Sequence, residues 1–203
     1  MLKKLTLLYV FVPACIFLSC TASKDPMRPL ARKLQKGTMI EDTSYVYNLP
    51  YDTGTANIVV QGYFSRYSHK NRVALDFKMK RGTRILAARS GKVVQVKNDG
   101  RKGGITKKYR AEGNHVVIQH EDGTRAGYWH LQYNGSLVKV GDTVQQGQVI
   151  GLSGKTGYAL FPHLHFSVWK LDAERRRIQV PTHFRTSKGI IYLRPFRRYF
   201  NSK

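Results

Sequence analysis

From Tyr45 onward this chain alternates short β-type runs with turns built on Gly, Asn and Asp, and no segment sustains a helical repeat. The runs ANIVVQGY, RVALDFK, TRILAA, GKVVQVK, HVVIQH, RAGYWHL, QVIGLS and HLHFSVW are rich in β-branched and aromatic residues. Such residues suit a pleated, half-buried surface, and many short strands between turn signals are the pattern of an all-β domain. The expectation is a compact antiparallel β-sheet or β-sandwich without internal duplication.

The flanks read differently. Lys3 and Lys4 precede an apolar run from Leu5 to Leu18, closed by Ser19 and Cys20. This run is too short and wrongly flanked for a stable transmembrane helix and reads as a secretory signal over residues 1–19. Its ending resembles a bacterial lipobox, so Cys20 is the expected lipid-carrying residue of a membrane-anchored lipoprotein. Cys15 lies inside the removable segment, and no intramolecular disulfide is expected. Residues 20–44 read as a polar tether with a short helix around Leu30 to Leu34. Residues 45–170 hold the β-domain, and 171–203 form a basic, aromatic C-terminal extension. From residue 175 that extension has nine Lys+Arg and no acid, with aromatics expected to pack on the domain. Residues 99–113 combine five basic residues with four glycines and read as a mobile loop.

The chain carries 35 Lys+Arg against 12 Asp+Glu, a formal net charge of +23. That balance predicts a polyanionic partner. With an export signal, the expected partners are anionic envelope polymers, and nucleic acid is not expected.

The chemistry concentrates in a few positions. His163 and His165 lie two apart in a β-type run, so both imidazoles project from one face. Asp76 sits inside the apolar run RVALDF, seven residues after His69; His130 ends AGYWHL, on the face expected for Tyr128. In isolation each has an ordinary reading: a chance surface pair, a carboxylate paired with an arginine, a hydrogen-bonded core histidine. His115, His120 and His183 are given that ordinary reading. Together, two imidazoles and one carboxylate form a recognised catalytic zinc set whose fourth position is left to water. Further histidines could serve as acid/base groups. Spacing alone does not assign the roles.

Five blocks, SHKNRVALDF, RGTRILAARSGKVVQV, EGNHVVIQHEDGTRAGYWHL, VKVGDTVQQGQVIGLSGKTG and FPHLHFSV, occur in this order. Together they resemble the M23 (LytM-type) zinc endopeptidases that cut peptidoglycan cross-links. The resemblance implies a LytM-like fold related to the barrel-sandwich hybrid, one zinc ion per chain and a peptidoglycan peptide as substrate. Position by position, it implies His69, Asp76 and His165 as zinc ligands, and His130 and His163 as two non-ligand catalytic histidines. It also implies a location in the bacterial envelope.

There are departures from the family pattern. Many members have HxGxD, whereas here six residues separate His69 from Asp76. Leu160 and Phe161 stand where Thr-Gly often precedes PHLH, and Ser167 replaces a common Glu. These changes are expected to alter groove shape rather than metal binding. The alternative reading is a non-catalytic module that binds wall or activates another hydrolase. The hairpin VKVGDTVQQGQVIG also resembles lipoyl and biotinyl carrier domains, but without their lysine-bearing turn. Similar enzymes cut Gly-Gly or D-Ala-to-diamino-acid linkages, and the sequence does not discriminate these.

Overall fold

The structure is a computed structural model that describes residues 24–39 and 45–202. The expected signal segment and Cys20 lie outside the described residues, and no helix among those described is long and apolar enough to cross a membrane. The helix α1 (Met27–Lys36) comes first, followed by β1 (Val46–Asn48), β2 (Ala56–Gln61), β3 (Ala74–Lys78), β4 (Arg84–Leu86) and β5 (Gly91–Lys97). Next come β6 (Gly103–Gly104), a 3₁₀ helix (Lys107–Glu112), β7 (Asn114–Gln119), β8 (Arg125–Ser136), β9 (Thr143–Val144) and β10 (Val149–Ser153). The last strands are β11 (Gly157–Tyr158), β12 (His163–Leu171), β13 (Arg177–Gln179), β14 (His183–Thr186), β15 (Gly189–Tyr192) and β16 (Arg197–Phe200).

The expected all-β class holds. One antiparallel sheet runs in the order β16-β2-β3-β12-β8-β7-β5-β9, with β13 on β12 and β10 joining β4 to β8. A smaller sheet has the order β1-β14-β15, and β6 pairs with β11. Period-two alternation in β12 explains its place at the centre. Leu164, Phe166 and Val168 enter the core, while His163, His165 and Ser167 line a groove on the other face. Edge-on aromatics fill the core: Tyr128 meets Phe166 at 5.2 Å, Phe166 meets Phe184 at 5.6 Å, and Phe77 meets Phe184 at 6.3 Å between ring centroids. The Tyr128 hydroxyl accepts the Ala88 N–H at 2.8 Å, which satisfies its buried oxygen.

Three expectations about the flanks and loop need revision. Residues 99–113 form a built structure rather than a mobile loop. The Asn114 side chain accepts the Gly100 N–H at 2.7 Å and donates to the Gly100 carbonyl at 2.8 Å, and the Glu112 carboxylate accepts the Arg101 N–H at 3.0 Å. A Cβ at Gly103 would collide with the Lys155 carbonyl, and one at Gly104 with the Tyr109 ring. Those glycines therefore permit close backbone approach, and composition alone mimics flexibility.

The boundary expected at residue 170 falls inside β12. Beyond it, β16 joins the main sheet on β2, and Phe184, Tyr192, Leu193 and Tyr199 are buried in the same core as Phe77 and Phe166. Phe196 and Phe200 remain exposed. The segment expected as a tether is also partly docked: α1 buries Ala31 and Leu34, and Gln35 donates to the Leu193 carbonyl at 2.9 Å.

Since Phe184 is fully buried against three aromatic rings, Phe184→Ala should cost about 3–5 kcal/mol of stability. Thermal unfolding followed by circular dichroism checks this. An unchanged transition would mean that the C-terminal segment is an appendage to the domain.

Candidate active site

The site begins with register. In β3 and β12, Asp76 stands directly opposite His165, and in β12 and β8 His165 stands opposite Trp129. Gln61 of β2 extends this row on one side and His115 of β7 on the other. Five side chains from five adjacent strands thus share the groove face. The groove encloses about 1610 Å³ and is lined by all five sequence-predicted site residues except the fully buried His69.

His69 lies between β2 and β3, in a segment folded back on itself. Phe64 N–H donates to the Arg72 carbonyl at 3.0 Å, and Arg72 N–H donates to the His69 carbonyl at 3.1 Å. This returns the His69 ring to β3 despite its long spacing from Asp76. His69 Nε2 lies 3.1 Å from Asp76 Oδ1 and 3.1 Å from His165 Nδ1, and His165 Nδ1 lies 2.8 Å from the same carboxylate oxygen.

The three donor atoms form a near-equilateral triangle. A tetrahedral ion with bonds of roughly 2.0–2.1 Å needs donors roughly 3.3 Å apart, so the triangle fits zinc after a small expansion. Supporting bonds fix the direction of two of the three donors. His69 Nδ1–H donates to the Gly62 carbonyl at 3.2 Å, which leaves Nε2 as the free lone pair. Gln61 Nε2 donates to Asp76 Oδ2 at 2.8 Å, which leaves Oδ1 for the triangle. Burial raises the Asp76 carboxyl pKa, but its close contacts with the His165 and His69 rings outweigh it and hold the group well below the usual range.

His163 and His130 stand beside the triangle without belonging to it. The His163 Nδ1–H donates to the Phe161 carbonyl at 2.8 Å, and its Nε2 lies 3.8 Å from Asp76 Oδ1. The His130 Nδ1–H donates to the Thr156 carbonyl at 2.7 Å. A carbonyl only accepts, so each ring carries a proton on Nδ1, and in the neutral ring Nε2 is the lone-pair atom. Their ring centroids are 4.7 Å apart. Burial, helped by His163 and His165, lowers the His130 pKa to about 3, so it is neutral at ordinary pH. Burial likewise lowers His165 to about 4 against the opposing pull of Asp76.

The expected face of His130 needs correction. Asn114 pairs with Leu131 and His115 with Trp129, so His130 is an extra residue with φ of +67°. This β-bulge reverses the alternation. Tyr128 and Leu131 enter the core, while Trp129 and His130 both face the groove.

The ordinary reading of His115 also changes in part, because it lines the groove and stacks on Trp129 at 4.2 Å. Gln61, Trp129 and Trp169 are further groove residues that the sequence did not single out. Only strand register places them there. His120 is a buried histidine whose Nδ1–H donates to the Ser90 carbonyl at 2.7 Å.

The model of peptidase family M23 matches residues 68–178. The chain is 35% identical over 119 residues to glycyl-glycine endopeptidase ALE-1 of Staphylococcus capitis, covering 59% of this chain and 30% of that protein. It is 39% identical over 117 residues to lysostaphin of Staphylococcus simulans (57% and 21% covered), and 40% over 93 residues to peptidoglycan DD-endopeptidase ShyA of Vibrio cholerae (46% and 19%). It therefore spans less than a third of the length of these relatives. Among solved structures, the lysostaphin catalytic domain from Staphylococcus simulans matches at 31% identity and TM-score 0.44, over 62% of this chain and 87% of that one.

Burial lowers the pKa of His120, and mainly burial lowers that of His115. A histidine with a lowered folded pKa contributes stability above its unfolded value of about 6.5, and that contribution is lost as pH falls toward the folded value. Thermal melts in chelator should therefore show a transition temperature that declines as pH drops below about 6.5, with a shallower decline in His120→Leu. A rise on acidification would contradict the burial account.

Proposed function

The chain belongs to peptidase family M23, and on that premise we propose that it is a zinc-dependent endopeptidase hydrolysing peptide cross-links of bacterial peptidoglycan. The observation that carries the proposal is the donor triangle of His69, Asp76 and His165 beside the imidazoles of His163 and His130, each held at Nδ1 by a main-chain carbonyl, in an open groove. The relatives named as peptidoglycan and glycyl-glycine endopeptidases support the substrate class.

In this reading the three donors hold one zinc ion, which when bound supplies Lewis acidity toward a carbonyl and acidifies water. Gln61 and the Gly62 carbonyl keep the carboxylate and His69 oriented. His163, with its free Nε2 toward Asp76, and His130, neutral at its Nε2, accept and return protons. Their Nδ1–H bonds to main-chain carbonyls hold each neutral ring in one tautomer, so Nε2 is the atom that takes the proton. The groove lets an extended peptide lie across the sheet with its scissile carbonyl over the row that contains His165. The proposed location is the cell envelope, with a lipid anchor at Cys20.

His165→Ala and Asp76→Ala should lose zinc and hydrolysis together. His130→Ala and His163→Ala should retain zinc while turnover falls roughly 10²–10⁴-fold, the usual cost of a lost acid/base group. Elemental analysis paired with release of muropeptides from purified wall reads both properties. A folded protein that cannot take up zinc would favour the non-catalytic module. For the anchor, metabolic labelling with a clickable fatty acid should mark the wild type and spare Cys20→Ala, and equal labelling would refute lipidation.

A further inference from the structure

We infer that the groove selects a cross-link whose peptide carries free carboxylates beside the scissile bond, in preference to a neutral glycine bridge. This inference rests on the endopeptidase reading above and names the substrate of the same site.

The observation is a charge imbalance in the lining of the groove. Its lining includes the exposed cations Arg72, Lys78, Lys107, Arg110 and Arg177. None of these makes an ion pair among the described residues. Lys97 also lines the groove but is paired with Asp99. The one carboxylate in the lining is Asp76, which is buried and committed to His69 and His165.

Elsewhere, a few cations have acidic partners. Arg84 pairs with Asp52, Arg89 with Asp122, and Arg176 with Asp172 and Glu174. The groove cations matter because they are exposed, make no ion pair among the described residues, and line the same groove as His163 and His165.

Their placement surrounds the reacting residues. Lys78 ends β3 directly opposite His163. Arg72 precedes the same strand, Lys107 and Arg110 sit on the 3₁₀ helix before β7, and Arg177 comes from β13. In the sheet order, β3 and β7 lie on opposite sides of β12, which carries His163 and His165. A peptide across β12 therefore meets positive charge on both sides of its scissile bond. Arg177 lies over the Trp169 ring at 4.6 Å, a stacked setting that leaves its planar N–H fork free for bidentate contact with a carboxylate. A glycine bridge offers these groups no charge. An acidic stem peptide would also gain from electrostatic steering into the groove.

The test compares three substrates with the zinc-loaded full chain: a cross-linked stem peptide with free carboxylates flanking the D-Ala-to-diamino-acid bond, the same peptide with those carboxylates amidated, and a pentaglycine bridge. The free acid should exceed the amide by roughly tenfold in kcat/KM, mainly through KM. The difference should shrink as salt rises and the screening length falls below about 8 Å. Lys78→Gln and Arg177→Gln should each narrow the acid-to-amide ratio by roughly threefold, whereas Arg198→Gln, on β16 outside the groove, should leave it unchanged. Equal rates on acid and amide, or faster cleavage of pentaglycine, would overturn the inference. If no substrate is cut by zinc-loaded protein, the endopeptidase reading fails instead. Calorimetric binding of the acid and amide peptides would then still decide the charge preference, with equal affinities refuting it.

Discussion

A carboxylate in the middle of a buried strand is the constraint on which this structure depends. Asp76 is 2% exposed, between Leu75 and Phe77, which are both in the core. An isolated buried anion would cost several kcal/mol, so its surroundings must supply positive charge or proton donors. Register places His165 opposite, the folded-back segment before β3 returns His69, and Gln61 takes the remaining oxygen. Because the neighbours of Asp76 are locked in the core, the carboxylate cannot move to water. The donors have to come to it, and the same convergence makes the site a receptor for a divalent cation.

Much of this was legible because strand periodicity is simple. The shared face of His163 and His165 follows from a separation of two, and an acid inside RVALDF was conspicuous because burial without a partner is costly. The all-β class was legible from turn-bounded runs. Other features depended on non-local information. The return of His69 needs main-chain bonds across the 62–72 segment, which spacing does not encode. The glycines of 99–113 look alike in composition whether they confer freedom or close approach, and only the Lys155 carbonyl and the Tyr109 ring distinguish the two cases. His115 gave no signal in the sequence, since its groove position follows from pairing with Trp129 on another strand.

The family match ends at residue 178, but the core does not. Phe184 sits among Tyr47, Phe77 and Phe166, and β16 adds a strand beside β2, the strand that carries Gln61. Pro195 packs so closely on Gly62 that a Cβ there would lie 2.9 Å from its ring. The segment after the matched region therefore braces the backbone whose carbonyl orients His69. The fold continues past the recognisable motif, and stability and site geometry share residues that motif comparison leaves out.

The bulge at His130 has a broader meaning. Before it, Ala126 and Tyr128, at even numbers, belong to the interior; just after it, Leu131, at an odd number, does. The strand is effectively written in two reading frames, and His130 is the single letter that joins them. Remove that letter and the interior would still be spelled correctly on both sides, but the second imidazole would vanish from the groove. An ordinary strand and a complete pair of outlying histidines are thus mutually exclusive at this point. Homologous chains could therefore lose the chemistry through a one-residue deletion while keeping every buried side chain in place.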